Sequence, residues 1–174
     1  MRLVLLISLA LVGVAHGAPP FCADAPEAGA KPDFSGLVKL GEPAAPTAQG
    51  AWTWVNLWAS WCEPCTDELP RLLAWQAKLG GPAKVRLVLV SLDDDLAAAR
   101  KAMALAGVKG AWHAPQAVRA AFTRSLGLLG GSLPTHVLID PQGKAVCVHE
   151  DMVEAAHFPA AAHRLGVPGA TPTP

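Results

Sequence analysis

Short apolar runs alternate with stretches whose apolar residues recur at helical spacing. Residues 52–58 combine aromatic and β-branched side chains and predict a strand. Residues 85–90 are apolar except for Arg86, which is typical of a strand covered on both faces of a parallel sheet. Between them a helix is expected from near Cys62 to the break at Gly80-Gly81-Pro82. Its apolar face is formed by Leu69, Leu72, Leu73 and Leu79, with Gln76 as a polar member.

Three further helices are predicted along the second half of the chain. Asp93-Asp94-Asp95 supplies caps and first-turn negative charge for a helix that ends at Leu105. The other two are expected at residues 116–125 and 153–165, the last one ended by Gly166.

A β-hairpin is predicted between the last two helices. Its strands cover residues 135–139 and 144–148, and Asp140-Pro141-Gln142-Gly143 fits a type I turn with Pro second and Gly fourth. Strands separated by helices imply βαβ crossovers, whereas the hairpin adds antiparallel edge strands. The pattern therefore predicts an α/β fold with a mixed central sheet flanked by helices.

Both ends of the chain are expected to lie outside the folded domain. Arg2, an apolar run and then Ala15-His16-Gly17 have the pattern of a signal peptide cleaved after Gly17. The alternative is an uncleaved anchor, but the run of about 12 apolar residues is shorter than the roughly 20 that a span needs. We therefore expect an exported, periplasmic protein. Its expected parts are a signal peptide (1–17), an extended segment (18–35), the domain (36–166) and a disordered tail (167–174).

Composition narrows the class of protein. The 174 residues include 14 basic and 14 acidic side chains, so the strongly basic surface of a nucleic-acid-binding protein is not expected. A hydrophobic content of 52% with 16% charged residues argues against a disordered chain. The length fits one domain, which we expect to be monomeric.

The chemistry is expected where the first predicted strand meets the first predicted helix. Two residues separate Cys62 from Cys65, so one helical turn brings the two sulfurs together. Cys62 lies at the helix N-terminus, where free backbone N–H groups and the helix dipole favour a thiolate. We expect Cys62 to be the exposed nucleophile and Cys65 the buried resolving thiol of a thiol–disulfide exchange.

Two other uses of this cysteine pair are less well supported by the sequence. A zinc site would need a second C-x-x-C or a paired His motif, which the sequence lacks. An inert structural disulfide does not explain the strand-to-helix position or Trp61 just before Cys62. We therefore expect redox chemistry without a cofactor or a metal.

Two motifs resemble those of the thioredoxin superfamily, and most of all those of the exported TlpA/ResA-like thiol–disulfide oxidoreductases. The first is Trp58-Ala59-Ser60-Trp61-Cys62-Glu63-Pro64-Cys65 followed by Glu68-Leu69-Pro70. The second, at residues 133–144, contains a Pro-Thr strand and an Asp-Pro-x-Gly-Lys turn. The resemblance covers about residues 34–165 and implies a thioredoxin-like fold.

The resemblance also implies which residues surround the cysteines. It implies a cis peptide bond between Leu133 and Pro134, facing the cysteine pair, where Pro134 presents backbone to a bound client. We expect Trp61, Leu133 and Thr135 to contact substrate.

Glu68 matches a glutamate that ResA-like proteins keep near the cysteines, which implies a role in tuning thiol acidity and relaying protons. Asn56 stands where thioredoxin has a buried Asp, and an amide cannot accept that proton. His136 stands where many relatives have a small or aromatic residue. A strand histidine with a satisfied hydrogen bond is expected there, and a substrate contact or a metal ligand are the alternatives.

Cys22 and Cys147 remain outside the C-x-x-C pair. In an oxidising compartment an intramolecular structural disulfide between them is the simplest account, and it would fasten the N-terminal segment to the last strand. A free buried Cys147 and intermolecular pairing through Cys22 are the alternatives.

The expected function is reduction of disulfides in client proteins. The resemblance implies apocytochrome c or copper-site proteins as clients and a membrane thiol transporter as the electron donor. A copper chaperone using Cys62 and Cys65 is the alternative, since thiolates suit Cu(I). A thiol peroxidase is less well supported, because Ala59 stands where those enzymes have a hydroxyl residue.

Overall fold

The computed structural model describes residues 20–22, 24–46 and 50–167, and within them six strands form a single sheet with helices on both faces. The strand order is β1-β4-β3-β2-β5-β6. The β2–β3 and β3–β4 pairs are parallel, whereas β1–β4, β2–β5 and β5–β6 are antiparallel. The expected mixed α/β fold is confirmed. The strands are β1 Val38–Gly41, β2 Trp52–Trp58, β3 Val85–Ser91, β4 Gly110–His113, β5 Thr135–Ile139 and β6 Ala145–His149. The helices are α1 Glu63–Lys78, α2 Leu96–Leu105, α3 Gln116–Ser125 and α4 Phe158–Arg164, and a 3-10 helix covers Ala155–His157.

The alternating side chains of the central strand β2 divide the core into two layers. Trp54 and Trp58 pack on the face covered by α1, α2 and α4, while Val55 and Leu57 belong to the core under α3. Strand β2 is buried on both faces, so its position in the domain is fixed. The start of α1, a few residues after the end of β2, is therefore also held at a fixed position.

Helix α1 begins and ends where the sequence predicts. Pro64 lies in the first turn, where its missing N–H costs nothing. Gly80 follows the helix with a φ of 97°, a conformation that favours glycine. Gln76 points its polar end at the sheet, since its Nε2 donates a hydrogen bond of 3.0 Å to the Val85 carbonyl.

Three details of the expected secondary structure were wrong. Strands β1 and β4 were not expected, because each has only four residues and carries little periodicity. In the hairpin only β6 is an edge strand, since β5 lies between β2 and β6. The last helix does not begin at Val153, because the Val153 N–H donates to Glu68 and Glu154 forms a capping box with His157.

The N-terminal segment is fastened to the domain. A disulfide joins Cys22 to Cys147, whose Cα atoms are 5.1 Å apart, and an antiparallel bridge pairs Asp24 with Val148. Phe21 is buried in the same core as Trp54. The expected boundary at residue 36 therefore does not separate this segment from the packed core. The expected signal peptide (1–17) and nearly all of the expected tail (167–174) lie outside the described residues.

We predict that Cys22→Ser and Cys147→Ser each lower the free energy of unfolding by about 2–5 kcal/mol, because the bond closes a long loop of the unfolded chain. The two cysteines are 125 residues apart in sequence. Urea unfolding under oxidising conditions measures the change. The double variant should lose little more than either single variant, and addition of the two losses, or unchanged stability, would contradict a bond between them.

Candidate active site

Cys62 and Cys65 form a disulfide at the N-terminus of α1, with Cα atoms 5.3 Å apart. Cys62 is the N-cap residue, and its Sγ accepts a hydrogen bond of 3.3 Å from the Cys65 N–H. A sulfur in that position lies at the positive end of the helix dipole, which favours a thiolate in the reduced pair. Cys62 is 7% exposed and Cys65 is fully buried. Cys62 is thus less exposed than expected, but it remains the more accessible of the two sulfurs.

Asp93 holds the loop that leads into the cysteines. Both its carboxylate oxygens lie 3.0 Å from the Ser60 N–H, and it also accepts from the hydroxyls of Ser60 and Ser91 at 2.5 and 2.8 Å. The sequence assigned Asp93 to the cap of the next helix, but Asp95 performs that role by accepting from the Ala97 and Ala98 N–H groups. Asp93 is instead a buried carboxylate that holds the active-site loop through its hydrogen bonds with Ser60.

The peptide bond between Leu133 and Pro134 is cis, as the resemblance implies. It borders a groove of about 460 Å³, called the Trp61 groove here. Trp61 stands over it with 71% of its surface exposed, and the Thr135 side chain is buried with its hydroxyl turned to the Ser132 carbonyl. The groove is lined by Leu57, Trp61, Leu92, Gln116, Arg119, Ala120, Thr123, Leu128, Gly130, Gly131, Ser132, Leu133 and Thr135.

Glu68 is a fully buried carboxylate one turn after Cys65 on α1. Its Oε1 accepts a hydrogen bond of 2.8 Å from Asn56 Nδ2, and its Oε2 accepts one of 2.8 Å from the Val153 N–H. His136 Nε2 lies 3.3 Å from Oε1. Residues i and i+3 of a helix lie on the same face, so Glu68 and Cys65 share the buried face of α1.

Three buried histidines form a row that begins beside Glu68, and the sequence analysis missed this cluster. The ring centroids of His136 and His149 are 5.8 Å apart, and those of His149 and His157 are 5.0 Å apart. Phe21 covers them, with its ring 5.2 Å from that of His149. The sequence carries no signal of the pair His136 and His149, because the predicted second strand of the hairpin ended at residue 148 and their pairing depends on a register shift.

His149 has a strongly perturbed acidity. Burial, and after it the neighbouring His136 and His157, lower its pKa from 6.5 to about 4, although Asp151 and Asp24 act in the opposite direction. His149 is therefore neutral at pH 7 and resists protonation in the folded protein.

Neither a metal site nor a membrane span is found in the part of the chain that the structure describes. Its His, Cys, Asp and Glu side chains form no group of three or more that could hold a metal ion. Its helices are also too short or too polar to cross a membrane.

A cysteine pair at a strand-to-helix junction, in a mixed α/β fold that also has a cis proline before β5, defines a thioredoxin-like redox protein. The chain belongs to the AhpC/TSA family, which it matches over residues 23–147. This membership and the cysteine pair together support redox enzyme activity.

Solved structures with similar folds come from several bacteria. The thioredoxin domain of a thiol-disulfide oxidoreductase from Bacteroides vulgatus shares 19% sequence identity with this chain, at a TM-score of 0.57. The match covers 67% of this chain and 81% of the Bacteroides chain. A thiol:disulfide interchange protein of the thioredoxin family from Chlorobium tepidum shares 23% identity, with 70% and 81% covered and a TM-score of 0.53. A secreted Mycobacterium tuberculosis disulfide oxidoreductase, homologous to Escherichia coli DsbE, shares 17% identity, with 68% and 82% covered and a TM-score of 0.51. At these identities the similarity is one of fold.

We predict that acid lowers the stability of the protein partly through His149. The folded-state pKa of about 4 lies below the usual 6.5, so the unfolded chain binds a proton first as the pH falls. The contribution of neutral His149 to the free energy of unfolding is complete above about pH 6.5. It is lost progressively towards pH 4, by roughly 3 kcal/mol. Urea unfolding at a series of pH values measures the loss.

The variant His149→Phe should remove this part of the acid sensitivity. His163→Phe is the matched control, because His163 is exposed on α4 and should leave the pH dependence unchanged. Equal losses between pH 7 and pH 4 in wild type and His149→Phe would show that His149 does not contribute.

Proposed function

We propose that this protein is an exported thiol–disulfide oxidoreductase that reduces disulfides in client proteins through Cys62 and Cys65. The observation that carries the proposal is the unequal burial of the two sulfurs at the start of α1. A pair used for exchange needs one sulfur that a client can reach and a second sulfur that only the first can reach. The solved structures with similar folds that bear thiol-disulfide oxidoreductase or interchange names add support.

The reaction begins with the reduced pair. The Cys62 thiolate attacks a client disulfide, the client S–S bond breaks, and one client sulfur leaves as a thiolate. The Cys65 thiol then gives its proton to the Glu68 carboxylate, and its sulfur attacks Cys62 Sγ. The second client sulfur leaves as a thiolate, and both client thiolates take up protons. Two electrons pass to the client, and the Cys62–Cys65 disulfide remains.

The Trp61 groove is the proposed place where a client segment binds. It ends at the cis Leu133–Pro134 bond, and the exposed Trp61 ring offers an apolar contact beside Cys62. Catalytic roles for Cys62, Cys65 and Pro134, and substrate contacts by Trp61, Leu133 and Thr135, are parts of this proposal. Within the groove, Arg119 is held by an ion pair of 2.9 Å with Asp94.

We further propose a periplasmic location, with apocytochrome c or copper-site proteins as clients. A membrane thiol transporter would return electrons to the Cys62–Cys65 disulfide. The similar fold of the secreted, DsbE-homologous protein of Mycobacterium tuberculosis supports export. The protein would act as a monomer, and the Cys22–Cys147 disulfide would be structural, since it joins the N-terminal segment to β6.

A copper chaperone using the same two thiolates is the alternative. Cu(I) binding would need both sulfurs free and accessible, whereas Cys65 is fully buried. Removing either cysteine should destroy disulfide exchange on the proposed function, and metal uptake that survives such a change would separate the two activities.

We predict that Cys62→Ser abolishes exchange and that Cys65→Ser accumulates mixed disulfides with clients. Without Cys65, nothing attacks Cys62 Sγ after the first step, so the covalent intermediate persists. Non-reducing electrophoresis with mass analysis measures the trapped species, and the Cys62→Ser/Cys65→Ser double variant is the control. Equal loss of exchange without trapping would contradict the assignment of the two roles.

We also predict a reducing potential for the cysteine pair. A value at or below about −250 mV, near the roughly −270 mV of thioredoxin, would fit a reductant. The pair is equilibrated in thiol buffers of known potential, and free thiols are trapped and counted by mass, which separates this pair from the Cys22–Cys147 pair. A value near about −120 mV would reverse the direction of the reaction.

A further inference from the structure

One fully buried polar side chain beside Glu68 has no part in the exchange described above. His136 lies on β5, two residues after the cis Pro134, and pairs in register with Asn56 of β2. Its imidazole lies between the indole of Trp54 and the carboxylate of Glu68. A polar ring in such a position costs stability unless both its nitrogens have partners.

Trp54 fixes which nitrogen of His136 carries the proton. The indole Nε1 is only a donor, and it lies 3.1 Å from His136 Nδ1, so Nδ1 is the acceptor. The proton of the neutral ring is therefore on Nε2, 3.3 Å from Glu68 Oε1. The sheet thus presents an N–H group to the carboxylate. The same bond occupies the Nδ1 lone pair, which argues against His136 as a metal ligand.

Glu68 has two further donors, which arrive from other parts of the fold. Asn56 Nδ2 donates to the same oxygen as His136, and the Val153 N–H donates to Oε2. Glu68 therefore accepts two hydrogen bonds, and the Nε2–H of His136 lies 3.3 Å from Oε1 as a third polar contact. A carboxylate in its ionised form can accept a proton from a thiol.

We propose that His136 is a positioning residue for the second step of the exchange, and this inference rests on the proposed function. Its Nε2–H lies 3.3 Å from Glu68 Oε1 and holds the carboxylate in place on the buried side of α1 that carries Cys65. When Cys65 attacks the mixed disulfide, its proton moves to Glu68, and the Cys65–Cys62 bond forms as the Cys62–client bond breaks. His136 itself neither gains nor loses a proton.

Other titratable and charged groups surround this pair. His149 faces His136 from β6, and His157 lies beyond it on the 3-10 helix. From α1, Arg71 donates to the Val153 carbonyl, next to the N–H that binds Glu68. Burial keeps His149 neutral above about pH 4, so it brings no charge to this region at pH 7.

The test separates the two chemical steps. Reduced protein is mixed with oxidised glutathione and quenched in acid, and mass analysis follows the glutathione mixed disulfide and its conversion to the Cys62–Cys65 disulfide. In His136→Phe the conversion should slow about tenfold at pH 7, because the Glu68 carboxylate loses the N–H group beside its Oε1, and its pH profile should move to higher pH. Formation of the mixed disulfide by Cys62 should be unchanged.

Three comparisons keep the test specific. His136→Gln keeps an amide donor and should restore most of the rate. His113→Phe, a change of a buried histidine on β4, should leave both steps and their pH profiles unchanged. In a Glu68→Gln background, His136→Phe should have no further effect on conversion, because its action passes through the carboxylate.

Several outcomes would overturn the inference. The inference is wrong if His136→Phe converts the mixed disulfide at the wild-type rate and with the wild-type pH profile. It is also wrong if His136→Phe slows the conversion equally in the wild-type protein and in the Glu68→Gln variant. If the Phe variant does not fold, nitrogen NMR of the unaltered protein decides, since a proton on Nδ1 of His136 would contradict the argument. Absence of any exchange in wild type would instead refute the proposed function.

Discussion

The buried carboxylate of Glu68 is the constraint around which the active-site half of the molecule is arranged. A polar group taken out of water is tolerated only when it has polar partners, and the partners of this carboxylate come from three places in the chain. Asn56 on β2, His136 on β5 and the Val153 N–H before the 3-10 helix all converge on it. Their convergence fixes α1 against the sheet and explains why the C-terminal segment is not yet helical at Val153.

The N-terminal segment completes this interior and belongs to the domain. Phe21 packs on Trp54 and His149, so it keeps water from the histidine rings. The Cys22–Cys147 disulfide and the bridge from Asp24 to Val148 hold Phe21 in place. Phe21 thus closes a polar interior in which the Nε2 atoms of His136, His149 and His157 are buried without a hydrogen-bond partner.

The sequence predicted the parts of the fold that depend on local pattern. Strand β2, helices α1 and α3 and the cysteine pair follow from periodicity and caps, and β5 was placed with its observed bounds. The histidine cluster depends on a bulge between β5 and β6, where the register shifts after the Leu138–Cys147 pair. A one-residue shift moves every later side chain to the other face, so a hairpin counted from its turn alone would separate His136 from His149. The role of Asp93 was missed because nothing in the sequence around Ser60 shows that a carboxylate 33 residues later accepts its hydrogen bonds.

The unequal burial of the two cysteines explains why a polar relay lies beneath one of them. Cys62 retains some exposure and stands at the helix N-terminus, so solvent and the helix dipole can accommodate its charge. Cys65 has no exposed surface, and a thiol there can lose its proton only to a group inside the protein. Glu68 shares the buried face of α1 with it, and hydrogen bonds from Asn56 and the Val153 N–H hold the carboxylate there. Burial protects the resolving thiol from solvent and also makes an internal proton acceptor necessary.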